Sequence, residues 1–191
     1  MAQDLMFQAE IRHVIRSTYG RLPNGAGRTM AARLYRDDQL DGLPDEAIDW
    51  SLGVGNPVAH AALRPGERVV DLSPRKSRAL AEAARVLRPG GRLRIADFVV
   101  NDDLPPEVLT SAAAWAGCLS GALSESVLVK KLAKAGFTEI ELGERTPFGI
   151  DDIAVYPLFD DAVIELMRRT VPAGQQRRIA TSVIAKARFP G

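Results

Sequence analysis

Cys118 has the most distinctive chemistry in this chain, because it is the only cysteine among 191 residues. It lies in the segment WAGCLSGAL, where a thiolate could bind a soft ion. The same position also suits a small apolar side chain packed between the alanines and leucines of a helix. A single cysteine excludes an internal disulfide and a dithiol redox site, so these two interpretations of Cys118 remain open.

A glycine-bracketed turn provides the next candidates. Gly53, Gly55 and Asn56 fall in SLGVGNP, where glycines would let the backbone approach a bound molecule closely. The alternative, which the pattern favours, is that the glycines and Asn-Pro only build the turn before a short helix. Asp71 ends the apolar segment RVVDL, at the end of a strand where open α/β sheets bind ligands. The interpretation that the sequence favours is a carboxylate that caps the next helix or faces solvent.

The other polar residues are weaker candidates. Tyr19 could cover a bound molecule, or its ring could pack against the N-terminal helix. His13 and His60 are far apart and lack the spacing of metal ligands. The acidic pairs at 102–103 and 151–152 read as solvated or capping groups. The sequence contains no Ser-His-Asp arrangement, Walker loop or zinc pattern.

The elements that would position these residues alternate between helix and strand. Helices are predicted from apolar spacing, caps and glycine stops, at 3–18, at 73–87, within 104–136 and at 160–169. Strands are predicted at 68–72, 92–100, 138–145 and 177–189. Helix-length crossovers between strands indicate an α/β layered domain with parallel, right-handed connections.

The order of several motifs resembles that of arsenite methyltransferases, a group of class I S-adenosylmethionine-dependent enzymes. SLGVGNP, PGE and RVVDL resemble the start of that family, and LSPRKSRALAEAARVLRPGGRLRIADFVV resembles a later helix and strand. WAGCLSGALSES followed by LAKAGFTEIEL resembles the region that carries an arsenic-binding cysteine. Tyr19–Gly20 resembles the aromatic-glycine pair that covers the cofactor. The resemblance therefore runs over nearly the whole chain.

The resemblance is interrupted after Leu72. In the family, the Asp-Leu that ends the first strand leads directly into Gly-x-Gly-x-Gly, whose backbone binds the cofactor, whereas Ser73–Pro74 follows here. In the strand order of that family, the end of strand 1 is here followed directly by the sequence that normally comes after strand 4. The glycine loop, the acidic residue for the ribose and strands 2 and 3 have no counterpart. Val54 also stands where the family has a second cysteine.

The resemblance implies S-adenosylmethionine as the cofactor and trivalent arsenic as the ion bound by the catalytic Cys118. The residues that it places beside the cofactor are Tyr19, Gly53, Gly55, Asn56 and Asp71. With the glycine loop absent, we predict a methyltransferase-family protein that is defective in conventional cofactor binding. One alternative is a repurposed dimeric enzyme with a rebuilt pocket between Tyr19, Gly53–Asn56 and Cys118. The other is a non-catalytic module that binds a small molecule or a partner.

The predicted fold is α/β, a truncated Rossmann-like methyltransferase sheet of about four to five strands, flanked by helices. It would be parallel, with an antiparallel C-terminal strand. Residues 1–50 are predicted to form an N-terminal helical cap segment, and residues 51–191 the truncated methyltransferase-like domain. The loss of strands 2 and 3 would expose a new sheet edge, which predicts a homodimer.

Composition limits the partners and the compartment. Twenty-five basic and 24 acidic residues give a net charge of +1 without a basic block, which argues against a nucleic-acid partner. No apolar run approaches the roughly 20 residues of a membrane span, so we expect no membrane association. The lone cysteine suits a reducing cytoplasm.

Overall fold

The computed structural model describes residues 13, 16–65, 67, 69, 76–100, 104, 105, 108 and 122–190. Its helices are α1 (Arg28–Leu34), α2 (Asp37–Leu40), α3 (Asp45–Asp49), α4 (Lys76–Val86), α5 (Glu125–Lys134), α6 (Ile150–Ala154) and α7 (Asp161–Thr170), with a short 3-10 helix at Val58–His60. Its strands are β1 (Gly91–Val100), β2 (Thr138–Phe148) and β3 (Ala180–Phe189). The predicted helix at 3–18 lies almost wholly outside the described residues.

The three described strands form one sheet in the order β1-β3-β2, and β3 is antiparallel to both neighbours. The antiparallel C-terminal strand is thus confirmed. The crossover from β1 to β2 does not produce a parallel pair, because β3 lies between them. Residues 180–185 of β3 are all buried, whereas most of β2 is partly or fully exposed. The more apolar strand therefore takes the centre of the sheet.

A parallel sheet of four to five strands is not what the described residues contain. Of the strand predicted at 68–72, only Val69 is described, and it is 63% exposed and outside any strand. The parallel contact in the described chain is a single bridge between Val99 and Leu123, where the amide of Val100 donates to the carbonyl of Leu123 at 3.2 Å.

Helices cover both faces of the sheet. Alternate side chains of each strand point to opposite faces, so each face packs against a different set of helices. One face, which we call the α4–α5 face, packs against Leu80, Leu128 and Leu132. The opposite face, which we call the N-terminal face, buries Phe98 and Phe148 against N-terminal residues, α6 and α7. Each face has its own apolar cluster, so β3 is enclosed between two layers of helices.

The N-terminal face also holds the first part of the chain. Met30 of α1 is fully buried in the same cluster as Phe98. The Nη2 atom of Arg33 donates to Oδ1 of Asp152 at 2.6 Å, and its guanidinium lies 4.9 Å from the centre of the Phe148 ring. The division of the chain at residue 50 stays a prediction.

Local signals explain several element ends. The Oδ1 atom of Asp160 accepts from the amide of Val163 at 2.9 Å and caps α7. Gly136, with φ +94°, follows the end of α5 as expected of a C-terminal glycine. Gly90, with φ +76°, lies in the predicted turn between α4 and β1.

Candidate functional site

The turn at residues 51–56 lies against the N-terminal face of the sheet. A Cβ atom added at Gly55 would lie 2.9 Å from Cβ of Ala96 in β1 and 3.1 Å from Oγ of Ser182 in β3. Contacts this short leave no room for a side chain, so glycine is required here. The close backbone approach that the sequence suggested at Gly55 is therefore an approach to the sheet.

The backbone of Gly53 is held by a hydrogen bond from Tyr156, which is 103 residues further along the chain. The hydroxyl of Tyr156 donates to the carbonyl oxygen of Gly53 at 3.2 Å. Tyr156 is 2% exposed, and burial raises its pKa, with Arg33 opposing and Asp152 adding to this effect. The hydroxyl thus keeps its proton at neutral pH and remains a hydrogen-bond donor to the turn.

Asn56 binds neighbouring elements with both ends of its amide. Its Nδ2 atom donates to the carbonyl of Leu34 at 3.1 Å and to Oε1 of Gln39 at 3.0 Å. Its Oδ1 atom accepts from the amide of Ala59 at 3.0 Å, which caps the 3-10 helix. Both amide hydrogens are therefore used within the protein, and they join the turn to α1 and α2.

Apolar side chains in and near the turn also pack against the core. Tyr19, Leu52 and Val54 are partly buried and pack against the cluster that contains Phe98. The side chain of Val54, which stands where the resemblance predicts a second cysteine, packs against this cluster. The structure thus brings Tyr19 to the same apolar cluster as the turn.

Two predicted site residues, Asp71 and Cys118, lie outside the described residues. Their roles as cofactor contact and arsenic ligand stay predictions. Among the residues that are described, no group of three or more His, Cys, Asp or Glu side chains could hold a metal ion. Nε2 of His60 contacts the carboxylate of Glu144 in β2.

Sequence reasoning missed the support that α6 gives to this site. Besides its contact with Arg33, the carboxylate of Asp152 accepts from the amide of Gly149 at 2.8 Å, as the capping interpretation of the acidic pair predicted. Burial tends to raise the pKa of Asp152, but the Gly149 hydrogen bond and Arg33 outweigh it, and the pKa is lowered. No local pattern identifies Arg33 or Tyr156 as partners, because each acts over more than one hundred residues of sequence.

The chain is similar to several known proteins over part of its length. No family model matches it. It is 35% identical over 104 residues to an arsenite methyltransferase from Halobacterium salinarum, which covers 52% of this chain and 27% of that protein. It is 35% identical over 94 residues to the arsenite methyltransferase of Aquipseudomonas alcaligenes, covering 49% of this chain and 27% of the relative. The human arsenite methyltransferase is 41% identical over 69 residues, covering 36% of this chain and 18% of the relative.

Similarity extends to solved structures. An arsenic(III) S-adenosylmethionine methyltransferase from Chlamydomonas reinhardtii aligns with a TM-score of 0.42 and 28% identity, covering 63% of this chain and 35% of that one. The sequence matches confirm the resemblance to arsenite methyltransferases that the motifs predicted, and they do so over 36% to 52% of this chain rather than over nearly all of it. They span about a quarter of the length of the first two relatives. No helix in the described parts of the chain is long and apolar enough to cross a membrane.

Proposed function

We propose that this chain is a protein of the S-adenosylmethionine-dependent methyltransferase family that does not bind the cofactor conventionally and does not transfer methyl groups as a monomer. The observation that carries the proposal is that the turn at residues 51–56 is bound on several sides by other parts of the protein. Its glycine backbone and its asparagine amide are the groups that the resemblance would place beside a cofactor, and both already have partners within the protein.

A cofactor at this turn would have to displace existing contacts. Freeing the amide of Asn56 breaks bonds to Leu34, Gln39 and Ala59, each worth about 1 kcal/mol net. The sequence offers no replacement on the donor side, because Ser73–Pro74 stands where the family has its glycine loop. Cofactor binding would therefore break contacts at the turn without gaining the backbone contacts of the family's glycine loop.

The part of the site that would bind arsenic, the methyl acceptor, also lacks thiolates that the resemblance predicts. Soft trivalent arsenic is held best by two or three thiolates, and this chain has only Cys118. Val54 packs against the core where a second thiolate would be required. Cys118 alone would hold arsenite weakly, so we infer that neither substrate is positioned for an in-line methyl transfer.

Isothermal titration calorimetry tests the proposal directly. We expect no saturable heat when S-adenosylmethionine or its demethylated product is titrated up to about 1 mM, a concentration that detects any binding stronger than roughly 4 kcal/mol. A micromolar dissociation constant for either compound would refute the proposal. The arsenite arm uses Cys118→Ser as the matched control, and a strong heat lost in that variant would show that the acceptor half is retained.

The two alternatives predict different outcomes in the same titrations. Cofactor binding confined to a dimeric fraction would support a pocket rebuilt between two copies near Tyr19, the turn and Cys118. Absence of binding by all three compounds would favour a module that binds another small molecule or a partner. We also propose a reducing cytoplasm as its compartment, because the sole cysteine has no partner for an internal disulfide.

A further inference from the structure

Four cationic side chains stand together on the N-terminal face of the sheet. In the antiparallel register of β1 and β3, Arg92 lies opposite Arg188 and Arg94 lies opposite Lys186. The side chains of one such pair and those of the next point to the same face, since the two positions in each strand are two residues apart. Like charges directly opposite one another destabilise a sheet, so two successive pairs of this kind require an explanation.

Carboxylates balance three of these cations. Oε1 and Oε2 of Glu67 accept from Nη2 of Arg92 at 2.8 and 2.6 Å. Arg188 pairs with Glu139 at 3.0 Å, and Glu141 lies opposite Lys186 in the register of β2 and β3. Arg92, Arg188 and Lys186 therefore each have an acidic neighbour.

Arg94 differs from the other three. Its Nε atom donates to the carbonyl of His60 at 3.0 Å and its Nη1 atom to the carbonyl of Leu93 at 2.7 Å. No ion pair links it to a carboxylate in the described part of the chain. A guanidinium has five N–H donors, so three remain beyond these two bonds. Burial, followed by the charges of Arg92 and Arg188, lowers the pKa of Arg94, with Glu141 opposing.

We propose that Arg92, Arg94, Lys186 and Arg188, which we call the cation block, bind the phosphate group of a small molecule, with Arg94 as the central contact. A phosphate would supply the negative charge that Arg94 lacks and would relieve the repulsion within both cross-strand pairs. The planar fork of a guanidinium matches the spacing of phosphate oxygens, and three such groups beside a lysine favour a multiply charged anion.

The segment that follows the turn covers this block. The carbonyl of His60 binds Arg94, the carbonyl of Ala62 accepts from Nη1 of Arg92 at 3.1 Å, and the carboxylate of Glu67 binds the same guanidinium. These oxygens occupy donor positions that a phosphate would share or take over. The attachment of the segment is mainly polar, since Val58 and Leu63 are 57% and 51% exposed. A modest displacement of this segment would admit the anion.

The surroundings select a small anion rather than a nucleic-acid backbone. Glu139, Glu141 and Glu144 are exposed along β2 on the flank of the cation block. Their charges would repel a polyanion that extends beyond the block, whereas one phosphate or pyrophosphate group fits between them and β1. The block contains none of the residues that the resemblance places beside the cofactor or the arsenic, so its test does not depend on S-adenosylmethionine.

The experiment titrates the full chain with inorganic pyrophosphate by calorimetry, using sodium chloride at matched ionic strength as the reference. We expect saturable binding by the wild type and about tenfold weaker binding by Arg94→Gln, the loss typical of one charged hydrogen-bond partner. Arg85→Gln is the matched control, because Arg85 is an exposed arginine with its own ion pair on α4, and its affinity should equal that of the wild type.

Each outcome decides the proposal. Absence of saturable binding by the wild type overturns it, and so does an Arg94→Gln variant that binds as the wild type does. If Arg94→Gln does not fold, as judged by circular dichroism, Lys186→Gln takes its place and is expected to weaken binding several-fold. Equal losses in Arg85→Gln and in the block variants would mean that only general surface charge is sensed, which also rejects the site.

Discussion

At the scale of single residues, the turn at 51–56 depends on the space that Gly55 leaves. We expect Gly55→Ala to lower the free energy of unfolding by about 1–3 kcal/mol, because its methyl group would press on Ala96 and Ser182 at 2.9 and 3.1 Å. Urea unfolding followed by circular dichroism measures the change. Gly53→Ala is the matched control, since its nearest neighbour, the carbonyl of Gly55, would be 3.8 Å away. Equal destabilisation by the two variants would contradict the packing account.

The number of hydrogen bonds by which each residue holds the turn predicts how much that residue stabilises it. Tyr156→Phe removes one bond, to the carbonyl of Gly53, and should cost about 1 kcal/mol of unfolding free energy. Asn56→Ala removes three bonds, one of which caps the 3-10 helix, and should cost about 2–3 kcal/mol. Chemical denaturation of both variants tests this order. A larger loss for Tyr156→Phe than for Asn56→Ala would show that the tyrosine is the main anchor.

The sequence reveals the turn but not what holds it. Glycines and Asn-Pro predict a turn at 53–57 because their backbone preferences are local. Tyr156 is 103 residues from Gly53, and nothing in its own neighbourhood distinguishes it from any other core tyrosine. The need for glycine at position 55 arises from Ala96 and Ser182, which only the folded sheet brings beneath it.

At the scale of elements, β2 carries two irregularities built on glutamates. Glu139 and Glu144 have φ of +48° and +38°, beside the register shifts between β2 and β3. A left-handed backbone conformation is unfavourable for any residue with a Cβ atom, and glycine adopts it without strain. Glu139 forms an ion pair with Arg188, and the carboxylate of Glu144 contacts Nε2 of His60, so each irregularity directs a carboxylate to a basic side chain.

The backbone of these bulges gives a directional prediction. We expect Glu139→Gly to leave thermal stability equal or higher, because relief of the positive φ offsets the loss of an exposed ion pair. Glu141→Gly, at a position that pairs regularly with Lys186, should lower the melting temperature, since glycine weakens an ordinary strand position. Differential scanning calorimetry compares the two. A lower melting temperature for Glu139→Gly than for Glu141→Gly would rule out strain at the bulge.

The contact between α1 and α6 should be sensitive to acid. The folded-state pKa of Asp152 lies below its ordinary value, so its contribution to stability is present above the unfolded pKa of about 4 and is lost as pH falls through the folded value. Asp152→Asn should therefore be clearly less stable than the wild type at pH 7, and the difference should shrink below about pH 4. Urea unfolding across this range measures it. Asp151→Asn, at an exposed ion pair with Arg168, should show little difference at any pH. A pH-independent gap for Asp152→Asn would disprove the role of its charge.

At the scale of the whole molecule, local pattern predicts which segments are strands better than it predicts how they pair. The strands expected at 92–100, 138–145 and 177–189 correspond to Gly91–Val100, Thr138–Phe148 and Ala180–Phe189. Their order in the sheet depends on contacts such as Gly91 with Phe189, which no local spacing encodes. The insertion of β3 between β1 and β2 follows from its burial on both faces, a property that emerges only when helices cover both sides.

The two outer strands differ in how well their edges are protected. β2 has register shifts, Pro147 and several glutamates, all of which discourage pairing with another chain. β1 is a regular ten-residue strand, and on the side away from β3 the backbone of its end, at Val99 and Val100, meets Leu123. The side chains of residues 91–97 are only half-buried, although Leu93 and Ile95 are among them. The edge of β1 is therefore the surface best suited to a second copy.

We accordingly expect a homodimer at micromolar concentration, with the β1 edges of two copies in contact. Light scattering should give twice the monomer mass, and a monomeric mass throughout the micromolar range would refute the dimer. Hydrogen–deuterium exchange at high and low protein concentration locates the interface. Amides of β1 should exchange more slowly at the higher concentration, while those of β2 serve as the internal control and should not change. Slowing confined to β2, or to neither strand, would mean that copies associate elsewhere, because backbone protection follows the strand that gains hydrogen bonds.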